Sequence, residues 1–261
     1  MRCLEADGSI EGGEPISLSP LHSSERPDGR SAPLHPAGFS HLAGRRRPSR
    51  LHAVPRAEHC SIQMVVKRGL DIVGAGLLLL LLSPLFLAIV ALIRLTSRGP
   101  AFFRQVRTGR HNVPFEILKF RSMYTERCDV SGVDQTVSND PRVTPIGRLL
   151  RRTNLDELPQ LINVLKGDMS LIGPRPHVPG MLAGGVAYEA LVSFYDDRHR
   201  MRPGITGLAQ ADGLRGPTVD ARRARRRVVR DIEYVRHFSL WLDVVIVWRT
   251  IANEMLGGSG F

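Results

Sequence analysis

Cysteine is scarce in this chain. Cys3, Cys60 and Cys128 are far apart and odd in number, with no CxxC pair. That excludes a disulfide framework and a cysteine zinc site, and it fits a reducing compartment. The nine histidines contain no HxxxH pair, so a histidine metal site is not indicated either. Residues 1–63 lack the apolar stretch of a secretory signal. No internal repeat and no nucleic-acid reading motif or aromatic stacking platform is present.

What is abundant is positive charge. The net charge is +11 over 261 residues. Eight Arg against seven acids leave only +1 in residues 1–63, so +10 falls in 64–261. Such a balance calls for an anionic partner: nucleic acid, a membrane surface or phosphorylated substrates. The Pro, Gly, Ser, Arg and His of residues 1–63, without apolar periodicity, predict a disordered extension. Met64, directly before the first organised segment, marks an alternative start of translation that would leave 1–63 out of the protein.

Ile72 to Ile93 is an uncharged run. As a straight helix it reaches about 33 Å, enough to cross a hydrocarbon core of roughly 30 Å. The alternative is a buried helix of a soluble protein, but Leu77–Leu82 is apolar all round. Ser83-Pro84 interrupts the run, and proline removes a donor and clashes with the preceding turn. Positive charge flanks both ends, with Lys67 and Arg68 before and Arg94, Arg98, Arg104, Arg107 and Arg110 after. Because positive flanks mark the cytoplasmic side, the pattern predicts a re-entrant hairpin over 64–98, kinked at Ser83 and Pro84, with both ends cytoplasmic.

Downstream the chain changes character. Residues 101–123 alternate apolar and polar around Thr108-Gly109-Arg110 and predict a β-hairpin; 124–143 read as a loop. Thr144-Pro145 opens a short amphipathic helix. A second helix carries Leu158, Leu161, Ile162 and Leu165 and ends near Gly167. Tyr188–His199 reads as helix, Arg202–Gly207 as a loop, Ala221–Phe238 as a basic helix and Ser239–Ile251 as an apolar segment bearing Trp241 and Trp248. The run Arg222 to Arg230, ahead of that segment, suits an anionic headgroup layer as well as a solvated helix face. The fold class is therefore α+β, mainly α. It consists of a membrane hairpin and a small cytosolic helical domain with a β-hairpin and interfacial amphipathic helices.

Asp156-Glu157 is the first candidate for chemistry. Adjacent carboxylates do not share a helix face and make poor acid–base partners for one bond. They suit a division in which one attacks and the other holds a divalent cation. The bland alternative is a capping box, Thr153-x-x-Asp156. Around the pair stand Arg148, Arg151 and Arg152, then Arg175 between Pro174 and Pro176, which fix its backbone. Lys119 and Arg121 alternate with apolar residues and share one strand face. Arg202 opens another Pro-Gly loop. Guanidinium groups on stiff loops suit bidentate phosphate recognition.

These residues resemble the bacterial sugar transferases, the monotopic polyprenyl-phosphate phosphoglycosyl transferases. The matching blocks are Lys67–Ile72, Ser83-Pro84, Lys119–Met123, Leu155–Ser170, Gly173–Pro176 and Arg202–Gln210, within roughly 65–251. The resemblance implies transfer of a sugar-1-phosphate from a UDP-sugar to undecaprenyl phosphate, releasing UMP, at the cytoplasmic face of the bacterial inner membrane. It implies that Asp156 attacks the β-phosphate to form a phosphosugar-aspartyl intermediate and that Glu157 helps hold Mg²⁺. Arg151 and Arg175 fall on the family's phosphate-contacting arginines. Lys119, Arg121 and Arg202 complete the expected substrate-binding set. The catalytic domain is then 99–251, followed by a tail, 252–261, and a homo-oligomer is allowed. Gly213–Thr218, Asp231–Val235 and Ser239–Asp243 are similar to the short, exopolysaccharide-initiating hexose-1-phosphate enzymes, which use UDP-glucose or UDP-galactose. Ala211-Asp212 departs from the Val-Asn pair many of them carry. The competing reading is a non-catalytic membrane-anchored basic scaffold or lipid-binding protein, for which the Asp156-Glu157 block would be superfluous.

Overall fold

The computed structural model describes residues 61–125, 140–216 and 220–257. The expectations for residues 1–60, for 126–139 of the loop, for Pro217 and Thr218, and for 258–261 lie outside the described residues.

The apolar run forms two helices, α1 (Ser61–Leu81) and α2 (Ser83–Thr96), bent by 63° at the break. Pro84 sits in the first turn of α2, where its missing donor costs nothing. The Ser83 hydroxyl donates back to the Leu80 carbonyl at 2.8 Å. No single described helix is long and apolar enough to cross a membrane; α1 and α2 together pass that test as a bent pair. Leu77, Leu80, Leu81, Leu87 and Leu95 are exposed. α1 begins at Ser61, so Met64 lies inside a helix and packs against a buried cluster.

The hairpin is present as β1 (Phe102–Thr108) and β2 (Pro114–Phe120), antiparallel with Phe103 opposite Lys119 and Arg107 opposite Phe115. Strand alternation sets Gln105, Arg107, Ile117 and Lys119 on one face. The helix α3 (Pro145–Arg152) starts where Thr144 accepts from the Gly147 amide at 2.9 Å. The helix α4 (Gln160–Lys166) ends at Gly167, whose φ of 100° is the left-handed stop. Ile89, Ile93, Ala101, Phe120 and Leu150 join α2, the hairpin and α3 in one core; Ala75, Ile117, Leu161, Val164 and Met169 join α1, β2 and α4 in another. The two membrane-candidate helices are therefore the floor on which the hairpin and α3–α4 are laid.

Two expectations are corrected. Gly204–Thr206, read as loop, is a strand, β6, parallel to β3 (Ser170–Ile172). The strands approach so closely that a Cβ on Gly204 would stand 2.0 Å from the Gly173 amide nitrogen. Tyr188–His199 is not one helix. It is a single turn, α5 (Tyr188–Leu191), then extended backbone at Val192 and a 3₁₀ segment, Tyr195–Arg200. A two-residue hairpin, β4 (Leu182–Ala183) and β5 (Val186–Ala187), precedes α5. After β6 come a short α6 (Leu208–Ala211), the basic helix α7 (Ala221–Arg236) and α8 (Leu240–Gly257). Ile172, Met201, Tyr234, Val235, Phe238 and Ile246 bury α7 and α8 against β3. Lys67 of α1 reaches Asp243 of α8 at 2.7 Å, a buried pair that ties the first helix to the last.

Candidate active site

A cavity of about 1350 Å³ opens between the hairpin, α3, the turn after it, the 172–178 loop and α8. Its lining includes Leu78 and Leu82 of the bent helix pair and Phe102 of β1. Nine Lys and Arg line it against three carboxylates, Asp156, Glu157 and Glu254.

The two adjacent carboxylates lie on a 3₁₀ turn, Leu155–Glu157, entered through Asn154 at φ 55°. Left-handed backbone at a non-glycine residue is uncommon. Here it reverses the chain sharply between α3 and α4. The capping box is not formed. Thr153 ends α3, and its hydroxyl donates back to the Leu149 carbonyl at 2.9 Å. Asn154 makes no cap hydrogen bond; its Nδ2 donates to Glu254 at 3.1 Å. Pro159 stands just ahead of α4, where a missing donor is harmless.

The two carboxylates have different surroundings. Glu157 Oε1 accepts from Lys119 Nζ at 2.8 Å and from Arg175 Nη2 at 2.6 Å, and Oε2 faces Arg175 Nη1 at 3.3 Å. Burial pushes Glu157 up, but Arg175 and Lys119 more than offset this and hold it below the usual carboxylate range. Asp156 is 7 % exposed, and no side-chain hydrogen bond to its carboxylate occurs among the described residues; Lys119 Nζ stands 4.0 Å from Oδ2. Burial raises its pKa, Lys119 opposes the rise, and the neighbouring Glu157 adds to it. One carboxylate is thus a fixed anion, the other a poorly solvated one with no side-chain hydrogen bond and only a long contact to Lys119.

Arg175 is held by its loop. The Pro174 carbonyl accepts from Gly204, the Arg175 carbonyl from Arg198 Nη2 at 2.5 Å, and the His177 carbonyl from Thr108. Arg198 is itself buried against Asp231 at 2.6 Å. Arg151 also lines the cavity, its Nε donating to Ser122 Oγ at 2.9 Å. The structure therefore brings Lys119, Arg151 and Arg175 together around Asp156 and Glu157. Arg121 is on the wall too, but its fork is turned to the end of α2, donating to the Ser97 carbonyl at 2.9 Å and Ser97 Oγ at 2.7 Å. Arg202 is not on the wall. Its Nε donates to the Gly167 carbonyl at 2.9 Å, beside Arg68 at the end of α4. Both serve helix C-termini, where cations offset the dipole.

Sequence reasoning missed Arg107, Arg198 and Arg227. Arg107 counted only as a charge flanking the apolar run; the alternation that singled out Lys119 on β2 would have found it on β1. Arg227 looked like one of a run of surface arginines, yet it is buried and donates to the Leu214 and Gly216 carbonyls.

No group of three or more His, Cys, Asp or Glu able to hold a metal occurs among the described residues. Mg²⁺ is commonly held by one or two carboxylates plus substrate phosphates. The less engaged Oε2 of Glu157 fits that donor set.

Residues 62–257 match the family described as bacterial sugar transferase. The chain is 52% identical over 200 residues to an exopolysaccharide production protein, PSS, of Rhizobium leguminosarum bv. phaseoli, covering 77% of this chain and 100% of the relative. It is 47% identical to an undecaprenyl-phosphate glucose phosphotransferase of Komagataeibacter xylinus, over 82% of this chain but 40% of the relative. It is 50% identical to a UDP-glucose:undecaprenyl-phosphate glucose-1-phosphate transferase of Caulobacter vibrioides, over 72% of this chain and 68% of the relative. The chain thus spans less than half the length of the Komagataeibacter relative it matches. The family match contains the bent helix pair, the hairpin and the Asp156–Glu157 turn, and with it the chain belongs to the bacterial sugar transferases.

Proposed function

We propose that the chain transfers a hexose-1-phosphate from a UDP-hexose to undecaprenyl phosphate and releases UMP, as the first membrane step of exopolysaccharide synthesis. Glucose is the first sugar to test, because relatives at 47–50% identity carry that sugar in their names; galactose is the second. The observation that carries the reading is the contrast inside the dyad. A buried carboxylate without hydrogen bonds, Asp156, stands beside one clamped by two cations, Glu157.

In this reading an Asp156 oxygen attacks the β-phosphorus of the UDP-hexose. The bond from that phosphorus to the bridging oxygen breaks, and UMP leaves with the oxygen and the electron pair. An oxygen of undecaprenyl phosphate then attacks the same phosphorus, and Asp156 departs as carboxylate. Splitting one transfer into two displacements is the usual gain of nucleophilic catalysis. Loss of water and donors around Asp156 removes the solvation an attacking carboxylate would otherwise shed. Lys119 and Arg175 are fixed before substrate arrives, so charge gathering on the phosphoryl oxygens meets cations that need no reorganisation. Mg²⁺, when held by Glu157 with the substrate phosphates, would supply further neutralisation of the diphosphate.

The bent pair α1–α2, with basic residues at both ends, supports a re-entrant, monotopic anchor with the catalytic domain on the cytoplasmic face of the inner membrane. The apolar cavity lining at Leu78, Leu82 and Phe102 then lies on the side of the acyl layer from which a polyprenyl phosphate must come. The test is turnover: purified protein, undecaprenyl phosphate, Mg²⁺ and a panel of UDP-hexoses, read as UMP release. UMP from one or two of the hexoses is expected. No UMP with any of them would refute the proposal and leave the scaffold reading.

A further inference from the structure

We infer that Arg107 is a phosphate-binding residue for the diphosphate of the nucleotide-sugar donor, an assignment that rests on the proposed function. The argument is one of charge without a partner. Arg107 points from β1 into the cavity on the same strand face as Lys119. Its acceptors are neutral: Nη1 donates to the Pro176 carbonyl at 3.4 Å and Nη2 to the Gln105 side-chain oxygen. Its Nε is shut off from solvent and has no partner. No ion pair to Arg107 occurs among the described residues, whereas the other cations at the dyad are engaged: Lys119 and Arg175 with Glu157. Burial and the nearby Arg175 push the Arg107 pKa down to about 10, with Glu157 opposing.

A half-buried guanidinium with its Nε shut off from solvent, beside a second guanidinium and without a carboxylate ion pair, is costly to hold. The cost has a use if an anion completes the site. The fork is planar and suits two oxygens of one phosphate group. The hairpin that carries Arg107 also carries Lys119, and the Pro176 carbonyl to which it donates follows Arg175. An anion bridging Arg107 and Arg175 would therefore sit in the cavity that the dyad lines. No general basic surface has this property; the Arg222, Arg225 and Arg226 side chains of α7 are exposed and solvated.

The test uses the full chain with Asp156→Asn, which blocks turnover, as the parent. UDP-glucose with Mg²⁺ is titrated calorimetrically into this parent and into parents also carrying R107Q or R107M, and each is melted without ligand. Loss of a charge-assisted pair predicts binding weaker by about tenfold to a hundredfold. The ligand-free melting temperatures should stay close to the parent's, because the guanidinium has only neutral partners to lose. R107M keeps the packing of the stem if R107Q fails to fold. Equal affinity in parent and variants overturns the assignment alone. Weaker binding accompanied by a matching loss of melting temperature also overturns it, since Arg107 would then act through the fold. No binding by the parent of UDP-glucose, or of UDP-galactose titrated in its place, overturns both this assignment and the functional reading beneath it.

Discussion

Arg198→Met should destabilise the protein more than any change at an exposed arginine. The Arg198 and Asp231 side chains are 0% and 1% exposed, and Arg198 donates to Asp231 Oδ2 through Nε at 3.1 Å and Nη2 at 2.6 Å. Burial pushes Asp231 up, and Arg198 is the main opposing influence. Methionine keeps most of the stem's volume but strands the carboxyl. Breaking one side of a buried pair costs about 3–5 kcal/mol. Protonation of Asp231 limits the loss but does not remove it. For a domain of this size about 1 kcal/mol moves the melting temperature by roughly 2–4 °C, so a fall of about 6–20 °C is expected. Thermal unfolding of detergent-purified protein, read by intrinsic fluorescence, measures it. Adding Asp231→Leu should restore at least half the loss, because an apolar pair of similar volume often matches a buried ion pair. Activity should not recover with stability, since the Arg175 carbonyl has still lost its donor. A fall under about 2 °C for R198M, or a double variant less stable than the single, would refute the reasoning.

Further outcomes follow from other parts of the fold. Gly204→Ala should prevent β6 from pairing with β3, since its Cβ would stand 2.0 Å from the Gly173 amide nitrogen; loss of soluble, detergent-extracted protein or a melting temperature lowered by more than about 10 °C is expected. Burial and Arg198 push His199 down to about 3. The unfolded chain therefore binds a proton that the folded one refuses between about pH 6.5 and 3, and stability should fall as pH drops through that window. Melts from pH 7.5 to 5 check this, and His199→Gln should flatten the slope. In a cysteine-free background, Gln63→Cys and Arg98→Cys, at the two ends of the bent pair, should both resist a membrane-impermeant thiol reagent added to intact spheroplasts. Labelling of one but not the other would show that the pair crosses the membrane.

The parts of the fold legible in sequence are those held by short-range rules. The hairpin over 101–123 showed in its alternation, α3 in its Thr144-Pro145 start, and α4 in its Gly167 stop. The bend at Ser83-Pro84 followed from proline chemistry. The β3–β6 pairing did not show, because two three-residue strands far apart in sequence leave no periodic trace, and Gly204 discourages a strand reading. Thr153 illustrates a different limit. A Thr three residues before an acid looks like a cap, but it ends one helix rather than starting the next. For the site, Asp156 and Glu157 could be named, but what sets them apart could not. Lys119 and Arg175 reach Glu157 across 38 and 18 residues. Arginines were the least legible group. Arg121 and Arg202 read as substrate ligands yet face helix ends, while Arg107 read as a flank and faces the cavity.

The central claim is that Asp156 is the attacking group. The most direct measurement incubates the protein with UDP-glucose labelled in the sugar and Mg²⁺, without undecaprenyl phosphate, and follows label and mass on the intact chain. The account predicts label approaching one per chain, an equal amount of UMP, assignment to the peptide containing Asp156, and release of the label on adding undecaprenyl phosphate. Asp156→Asn should remain folded and take up none. A protein that turns over with no labelled state, or a D156N variant that labels as the parent does, would contradict it.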